Sequence, residues 1–333
     1  MKKVNVALVG ATGMVGRTFI KVLEERNFPI NNIYMFSSAK SAGTTVKFAG
    51  KDVVVEELTE TSFDNKDIQI ALFSAGGSTS AKFAPIAASK GIIVVDNSSQ
   101  WRMDPEVPLV VPEVNPEEVK NHKGIIANPN CSTIQAMVPL KPLHDKYGLK
   151  RVVYSTYQAV SGSGVRGLKD LEDGIKGELN TFYPHPIAFN CLPHIDVFEE
   201  NGYTKEEMKM VNETKKIFNK DIEVNATCVR VPVLRGHSES IYIETKKPID
   251  MDKVFELLGN STGIDLCDDL ANQVYPMPTS FIGDELTHVG RVRKDLYKDN
   301  ALSLWITGDQ LMKGAAYNSV DIGLKMIELG LLK

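Results

Sequence analysis

The stretch Gly10-Ala11-Thr12-Gly13-Met14-Val15-Gly16 decides the fold of this 333-residue chain. It follows a mostly apolar run, residues 4–9, that is typical of a buried strand, and it opens a helical pattern that continues to Glu25. Its GxxGxxG spacing is a variant of the GxGxxG dinucleotide fingerprint. Gly10 permits the tight turn, Gly13 lets backbone N–H groups approach a pyrophosphate, and Gly16 lets the helix pack on the strand. The stretch predicts a Rossmann-like α/β domain that binds a dinucleotide.

The loop after the second predicted strand, residues 33–36, indicates which dinucleotide is bound. A site that prefers NAD carries an Asp or Glu near this point to hold the ribose 2′-hydroxyl. Here the chain has Ser37, Ser38, Lys40 and Ser41, and no acid. Three hydroxyls and a cation suit a 2′-phosphate, so the loop favours NADP(H). The alternative interpretation is a plain polar loop.

Small polar residues follow two further strands of the predicted parallel sheet. Strands are predicted at 68–73, 92–95 and 109–111, with a helix between the first two. The segments 74–78 and 96–99 begin where the first two of these strands end. Cofactors bind at the carboxyl ends of strands in doubly wound sheets, so we expect both segments beside the cofactor.

The stretch Asn128-Pro129-Asn130-Cys131-Ser132-Thr133 joins a short strand pattern to a helical one. Asn130 is a good N-cap, which places Cys131 in the first helical turn. Free backbone N–H groups and the helix dipole favour a thiolate there and lower the pKa of the thiol. The stretch therefore predicts a nucleophilic cysteine. The alternative is a buried cysteine that is capped by chance.

The pattern changes after residue 131, where the chain predicts a second domain of α+β type. A helix interrupted at Pro139 and Pro142 leads into long, β-branched strands. The short turn Arg235-Gly236-His237 predicts a hairpin, and hence an antiparallel or mixed sheet. Residues 308–331 predict one long helix. Strands are predicted at 152–160, 223–234, 238–246, 288–294 and 301–307.

Composition excludes several classes of partner. The net charge of −4 and the pI of about 5.9 argue against nucleic acid or an anionic membrane held by bulk electrostatics. No stretch approaches the ~18 apolar residues that span a bilayer. The apolar run at the N-terminus is too short for a signal peptide. These features predict a cytoplasmic protein without a nucleic-acid or membrane partner.

The cysteines give no sign of a metal site or a disulfide framework. The four cysteines are scattered, at 131, 191, 228 and 267, without a CxxC pair. The nearest approach to a ligand pair is Cys191-Leu-Pro-His194, and one pair does not make a site. The spacing therefore predicts no metal.

Residues 224–238 carry a resemblance to a known family. Cys228-Val229-Arg230 and Gly236-His237-Ser238 resemble the Cys-x-Arg…Gly-His-Ser signature of bacterial aspartate-β-semialdehyde dehydrogenases. The segments 10–16, 130–133, 158–162 and Arg102-Met103 resemble the same family, in order along residues 4–325. The resemblance implies reduction of L-4-aspartyl phosphate with NADPH, releasing phosphate and L-aspartate 4-semialdehyde. This step feeds lysine, methionine and threonine synthesis.

The resemblance also implies a division of the chain. Residues 1–130 plus 309–333 would form the NADP-binding domain, which is Rossmann-like. Residues 131–308 would form the catalytic and dimerisation domain, of α+β type with a mixed or antiparallel sheet. The expected assembly is a homodimer or a dimer of dimers.

Roles follow for individual residues on the same resemblance. Cys131 would attack the acyl phosphate carbonyl, His237 would be its acid–base partner, and Gln158 would orient the covalent intermediate. The residues that would bind the substrate comprise an α-carboxylate clamp at Arg230, an α-ammonium partner at Glu206, and the phosphoryl contacts Arg102, Asn130 and Lys209.

The expected cofactor contacts lie in five parts of the chain. Lys40 stands where many relatives have an arginine, which keeps the charge but loses the planar fork. The full set is Gly10, Thr12, Gly13, Met14, Val15, Gly16, Ser37, Ser38, Lys40, Ser41, Ala75, Gly76, Ser161, Gly162 and Asn318.

Several alternatives remain beside these roles. Glu206 and Lys209 stand at i,i+3, a spacing that also gives a solvated ion pair. Thr204 with Glu207 predicts a capping box, and Cys228 is interpreted as packing. A related family, the N-acetyl-glutamyl-phosphate reductases, also forms a cysteine thioester. The substrate of that family has a neutral acetylated nitrogen, which an acid at Glu206 would not bind. Another alternative is a non-catalytic NADP-binding paralogue, and the joint presence of Cys131, Gln158, Arg230 and His237 argues against it.

Overall fold

The computed structural model describes residues 2–218 and 220–332, and the chain divides into two compact units. The first unit joins the residues up to Asn130 with the C-terminal residues from Ala315, and the second runs from Cys131 to Gly314. The family resemblance implies a return to the first unit at residue 309. Within the described ranges no helix is both long and apolar enough to cross a bilayer.

The first unit is built on a seven-stranded sheet in the order β3-β4-β2-β1-β5-β6-β7. All neighbours are parallel except the β3–β4 hairpin. Every residue of β1 is buried, as an apolar central strand requires. Helix α1 spans Met14–Glu25 and α2 spans Gly77–Ser89. The strands are Val4–Val9, Ile30–Ser37, Thr45–Phe48, Lys51–Glu57, Ile70–Phe73, Ile93–Asp96 and Ile125–Ala127, numbered β1 to β7.

Two features of this sheet differ from the expectation. The strand predicted at 109–111 is wrong, because only an isolated bridge joins Leu109 to Ala127. Pro108 and Pro112 flank the stretch and lack the N–H group that a longer ladder needs, although its apolar residues are buried. The β3–β4 hairpin was not predicted. Its strands lie at the sheet edge, and their apolar residues (Val46, Phe48 and Val53-Val54-Val55) form only short runs among exposed polar residues.

The second unit contains a six-stranded mixed sheet in the order β11-β12-β13-β10-β8-β9. The pairs β8–β9 and β11–β12 are parallel, and the other neighbours are antiparallel. The α/β class with a Rossmann-like first sheet and a mixed second sheet is therefore confirmed. The strands are Leu149–Ala159, Glu223–Val231, His237–Thr245, Ile264–Leu266, Thr287–Lys294 and Ala301–Gly308, numbered β8 to β13.

The hairpin predicted at Arg235-Gly236-His237 is wrong. Strands β9 and β10 are not neighbours, since each pairs with β8, which lies between them. The link from β9 to β10 crosses the end of β8, where the N–H groups of Val160 and Ser161 donate to the carbonyls of Val233 and Leu234. A short link predicts a hairpin only when no third strand can enter between the two strands.

Four helices accompany the second sheet: α3 (Cys131–Tyr147), α4 (Gly164–Ile175), α5 (Lys205–Ile217) and α6 (Met251–Asn260). The predicted interruption of α3 is wrong, because the helix continues through Pro139 and Pro142. Each proline removes one helical hydrogen bond at a cost of about 3 kcal/mol. Burial of most side chains from residue 132 to 143 offsets that cost.

The C-terminal segment is not the single long helix that was predicted. A π-helical segment, Met312–Tyr317, precedes the α-helix α7, Asn318–Glu328. Apolar periodicity does not separate these two hydrogen-bonding patterns over so few residues.

Candidate active site

A cavity of about 550 Å³ opens in the first unit at the carboxyl ends of its strands. Gly10, in the turn after β1, has a φ of +88°, and a Cβ there would lie 2.4 Å from the Ser74 carbonyl oxygen. A Cβ at Gly16 would lie 2.1 Å from the Gly10 carbonyl oxygen. Both positions exclude any side chain. The turn therefore brings bare backbone to the wall of the cavity, and α1 begins directly after it with Met14 and Val15.

Hydroxyl groups meet on one side of this cavity. Thr12 Oγ1 lies 2.8 Å from Ser37 Oγ and donates to Ser41 Oγ at 3.3 Å. Ser38 lines the cavity, and Lys40 is exposed on the 3₁₀ turn Ala39–Ser41.

An acidic residue that was not predicted also lines the cavity. Glu57 ends β4, pairs in register with Ser37, and is exposed. It was missed because its strand was missed. Its carboxylate brings negative charge to the side where a 2′-phosphate was expected.

The other predicted cofactor contacts of the first unit occupy two places. Ala75 lines the cavity, and Gly76, with a φ of +84°, precedes α2. Asn318, at the start of α7, is buried, and its Nδ2 donates to Val110 O at 3.0 Å and to Asn128 Oδ1 at 2.7 Å. Its Oδ1 is buried without a hydrogen-bond partner among the described residues, so an acceptor is available there.

Three predicted site residues share one row of the second sheet. Gln158 on β8 pairs directly with Arg230 on β9, and His237 begins β10 on the other side of β8. The backbone N–H of Ala159 donates to His237 Nδ1 at 3.0 Å. Gln158, Arg230 and His237 are all buried.

Helix α3, whose first residue is Cys131, packs on the same sheet against β8 and β10. Thr133 Oγ1 donates to Met210 Sδ on α5 at 3.5 Å. Gln135 packs on Gly308, where a Cβ would lie 2.8 Å from its Cδ, and Gly308 pairs with His237. These contacts bring the cysteine end of α3 to α5 and to the His237 end of the sheet.

A hydrogen-bonded chain fixes the amide of Gln158. Thr156 Oγ1 donates to Gln158 Oε1 at 3.0 Å, and Gln158 Nε2 donates to Glu206 Oε1 at 3.1 Å. Lys209 Nζ lies 3.0 Å from Glu206 Oε2 and 2.9 Å from Asp196 Oδ2. The local ion pair between Glu206 and Lys209 is thus present, but it belongs to a larger network.

Thr156 and Asp196 in this network were not predicted. Their side chains meet the site only through strand register and a loop contact, and neither lies in a motif. The capping box of Thr204 and Glu207, which begins α5 and so presents Glu206, is confirmed.

The imidazole of His237 is held in one tautomer. Because Nδ1 accepts from Ala159, the neutral ring carries its proton on Nε2, which has no hydrogen-bond partner within residues 2–218 and 220–332. Burial, and then the charge of Arg230, lower the pKa of His237 to about 3. A Cβ at Gly162 would lie 3.3 Å from Nε2 and 2.9 Å from Arg230 Nη1, so glycine leaves both groups open.

Arg230 carries a buried positive charge. Its Nη1 donates to the Ala159 carbonyl at 2.7 Å, while its Nε has no partner in the described chain. It forms none of the salt bridges found among the described residues, whereas nearby Arg235 pairs with buried Asp309 at 2.7 Å. A buried cation without a counter-ion is costly, so this position suits an anionic ligand.

Two predicted substrate residues belong to the first unit. Arg102 is buried, and it donates to the Asn128 carbonyl at 2.9 Å and to the Asn97 carbonyl at 3.2 Å. Asn130 is buried and ends the first of the two chain segments that form this unit. Cys131, Gln158, Ser161, Gly162, Glu206, Lys209, Arg230 and His237 all belong to the second unit.

The remaining cysteines differ from Cys131 in setting. Cys228 is buried, and burial raises the pKa of its thiol, which agrees with a packing role. Cys191 is exposed and Cys267 is partly buried, and neither begins a helix.

Comparison with known proteins assigns both units to one class. The family described as semialdehyde dehydrogenase, NAD binding domain, matches residues 5–122, and semialdehyde dehydrogenase, dimerisation domain, matches residues 140–313. These two matches define the class of the protein, an oxidoreductase with a domain that binds a nicotinamide dinucleotide.

Individual relatives narrow this class. Proteins named aspartate-semialdehyde dehydrogenase from Aquifex aeolicus and Campylobacter jejuni are 54% and 50% identical, each over 98% of this chain and over 99% and 98% of their own lengths. The crystal structure of aspartate semialdehyde dehydrogenase II from Vibrio cholerae complexed with ASA has a TM-score of 0.94 and 45% identity, over 98% of this chain and 99% of that one. The chain belongs to the aspartate-semialdehyde dehydrogenase family.

Proposed function

We propose that this protein catalyses the NADPH-dependent reductive dephosphorylation of L-4-aspartyl phosphate to L-aspartate 4-semialdehyde and phosphate, through a thioester on Cys131. The observation that carries the substrate assignment is the buried guanidinium of Arg230, which forms no salt bridge among the described residues and lies beside His237 and Gln158. The relatives named above support the reaction. Its place would be in cytoplasmic lysine, methionine and threonine synthesis, and its assembly a homodimer or a dimer of dimers.

The first step is acyl transfer to Cys131. The thiolate attacks the carbonyl carbon, a C–S bond forms, and the C–O bond to phosphate breaks with its electron pair leaving on phosphate. The position of Cys131 at the start of α3 stabilises the thiolate through the helix dipole. Arg230 binds the substrate α-carboxylate and Glu206 the α-ammonium, which fixes the carbonyl for attack.

The tautomer of His237 determines how this side chain assists the acyl transfer. With Nδ1 accepting from Ala159, the ring offers Nε2–H to the oxygen on which negative charge develops. A neutral imidazole is a suitable donor for an oxyanion, and the low pKa of His237 keeps it neutral. The acid–base role expected from the resemblance therefore takes the form of hydrogen-bond donation. Gln158, fixed by Thr156 and Glu206, orients the acyl group.

The residues of the first cavity fit NADP(H). The bare turn at Gly10 suits a pyrophosphate, and the hydroxyl cluster of Thr12, Ser37 and Ser41 suits a 2′-phosphate. The buried Asn318 Oδ1, which lacks a partner in the described chain, suits the donor of a carboxamide. When bound, the nicotinamide would supply the hydride that reduces the thioester. Glu57 works against the 2′-phosphate, so its charge sets a limit on the preference for NADP.

A spectrophotometric assay tests this proposal directly. Purified protein with L-aspartate 4-semialdehyde, phosphate and NADP should form NADPH, and omission of phosphate should stop steady turnover. N-acetylglutamate 5-semialdehyde is the matched competitor, since it lacks the ammonium that Glu206 would bind. A higher kcat/KM with the acetylated substrate would assign the protein to the related reductases instead.

A further inference from the structure

A second cluster of ligating side chains lies at the edge of the six-stranded sheet. Asp265 on edge strand β11 pairs directly with His288 on β12. Cys267 follows β11, and its backbone N–H donates to the Val289 carbonyl at 2.7 Å. Asp265 and Cys267 stand two residues apart along an extended chain, so their side chains share a face with His288.

The ligand atoms of these side chains converge. Cys267 Sγ and His288 Nδ1 each lie 2.8 Å from Asp265 Oδ2, and all three ligand atoms lie within 4.8 Å of one another. Tetrahedral zinc, with bonds of about 2.0–2.3 Å, separates its ligand atoms by roughly 3.3–3.8 Å. The cluster reaches that spacing with shifts of about 1 Å or less.

A fourth residue, Asp284, lies near the other nitrogen of the histidine ring. The ring of His288 is buried and stacks on Phe281 at a centroid distance of 3.5 Å. Its Nε2 points to Asp284 Oδ2 at 3.6 Å and makes no hydrogen bond within the described residues. Histidines that ligate a metal through one nitrogen direct the other to a carboxylate. The ring of His288 therefore directs Nδ1 toward the other two ligand atoms and Nε2 toward the carboxylate of Asp284.

We propose that Asp265, Cys267 and His288 bind a divalent metal of the zinc type, with Asp284 orienting His288. One thiolate, one imidazole and one carboxylate form a borderline-soft donor set, which zinc accepts and magnesium or calcium does not. The competing explanation is a set of hydrogen bonds in which Asp265 accepts from the thiol and the imidazole. Cysteine spacing alone gave no sign of this site, because the ligands come from two strands.

The site is independent of the proposed reaction. His288 pairs with Thr307, which pairs with Ser238, so these three residues face the same side of the sheet. His237 is the next residue to Ser238 and faces the opposite side. A metal here would tie the three-residue edge strand Ile264–Leu266 to its neighbour and stabilise this edge of the sheet.

Cobalt titration of the chelator-treated, full-length protein tests the proposal. We expect a thiolate-to-cobalt charge-transfer band that zinc displaces. Cys267→Ser should abolish the band, and Asp284→Asn should weaken zinc binding by about 10- to 100-fold. Cys191→Ser, at an exposed cysteine, is the matched control and should retain both the band and the affinity.

Two outcomes would overturn the site. A band that survives in Cys267→Ser but disappears in Cys131→Ser would place the metal on the catalytic thiol. If the unmodified protein shows no band, then Asp265, Cys267 and His288 only form hydrogen bonds with one another and bind no metal. Alkylation of that same protein avoids any folding defect of a variant: zinc should slow labelling of Cys267 at least ~10-fold and leave Cys191 unchanged, whereas equal labelling would also contradict the proposal.

Discussion

Two cations of the second unit, Arg230 and Lys209, stand in opposite electrostatic settings. Arg230 is buried and forms no salt bridge within the described residues. Lys209 is clamped between Glu206 and Asp196. Burial alone would lower the pKa of Lys209, but the two carboxylates raise it, so the lysine keeps its charge. A guanidinium fork matches a planar carboxylate, while a compact ammonium suits a tetrahedral phosphoryl group.

Exchanging the two types of cation should show which of them binds the carboxylate of the substrate and which binds the phosphoryl group. Arg230→Lys loses one bidentate contact, worth about 1.5–3 kcal/mol, so the KM for the semialdehyde should rise roughly 10- to 100-fold. Lys209→Arg should instead raise the KM for phosphate. Arg151→Lys, on an exposed part of the same sheet, is the control. Steady-state kinetics with both substrates varied will decide, and the opposite pattern would mean that the two assignments are reversed.

Cofactor preference should depend on two opposite charges beside the hydroxyl cluster. Lys40→Ala removes a cation, and NADP binding should weaken roughly 10- to 100-fold while NAD binding changes little. Glu57→Gln removes an anion from the cavity wall and should tighten NADP binding without affecting NAD. Fluorescence titration of each variant measures both constants, with exposed Lys47→Ala as control. Equal effects on the two cofactors would show that the loop does not read the 2′-phosphate.

At the scale of elements, the predictions that depend on neighbouring residues in the sequence are correct. The Gly10 turn, helix α1 and the Thr204 capping box each depend on neighbouring residues, and all three are present. The prediction of a hairpin at Arg235-Gly236-His237 was wrong because the strand order depends on β8, which is far away in the chain. The prediction that the helix is interrupted at Pro139 was wrong because burial of the helix outweighs the cost of the hydrogen bond that proline removes.

The cap of α5 should influence substrate binding as well as stability. Thr204→Ala removes a capping-box hydroxyl and should cost about 1 kcal/mol of unfolding free energy. It should also raise the KM for the semialdehyde, because α5 presents Glu206 and Lys209. Asp250→Ala removes the cap of α6, which carries no proposed site residue, and is the matched control.

Urea unfolding and kinetics on both cap variants decide this point. Similar losses of stability are expected, with a changed KM only in Thr204→Ala. A KM that is unchanged there, despite the lost stability, would separate α5 from substrate binding.

At the scale of the whole molecule, the sequence predicted the α/β class correctly, whereas the roles of individual site residues stay predictions. The resemblance supplied roles for Cys131, Gln158 and His237. Strand register pairs Gln158 with Arg230 on β9, and His237 begins β10 on the other side of β8. Residues that join a site only through tertiary contact were missed. Asp196, Glu57 and the Asp265 cluster are of this kind, since none stands in a motif and each meets its partner across a loop or between strands.

The most direct test of the thioester account is a burst experiment without phosphate. Mixing the protein with L-aspartate 4-semialdehyde and NADP should give a rapid burst of NADPH and then stop. Peptide mass mapping after acid quenching should place one acyl group on Cys131, and Cys131→Ser should give neither burst nor adduct while still binding NADP. A burst of unchanged size in Cys131→Ser, or an acyl group on Cys191, Cys228 or Cys267, would contradict the proposed mechanism.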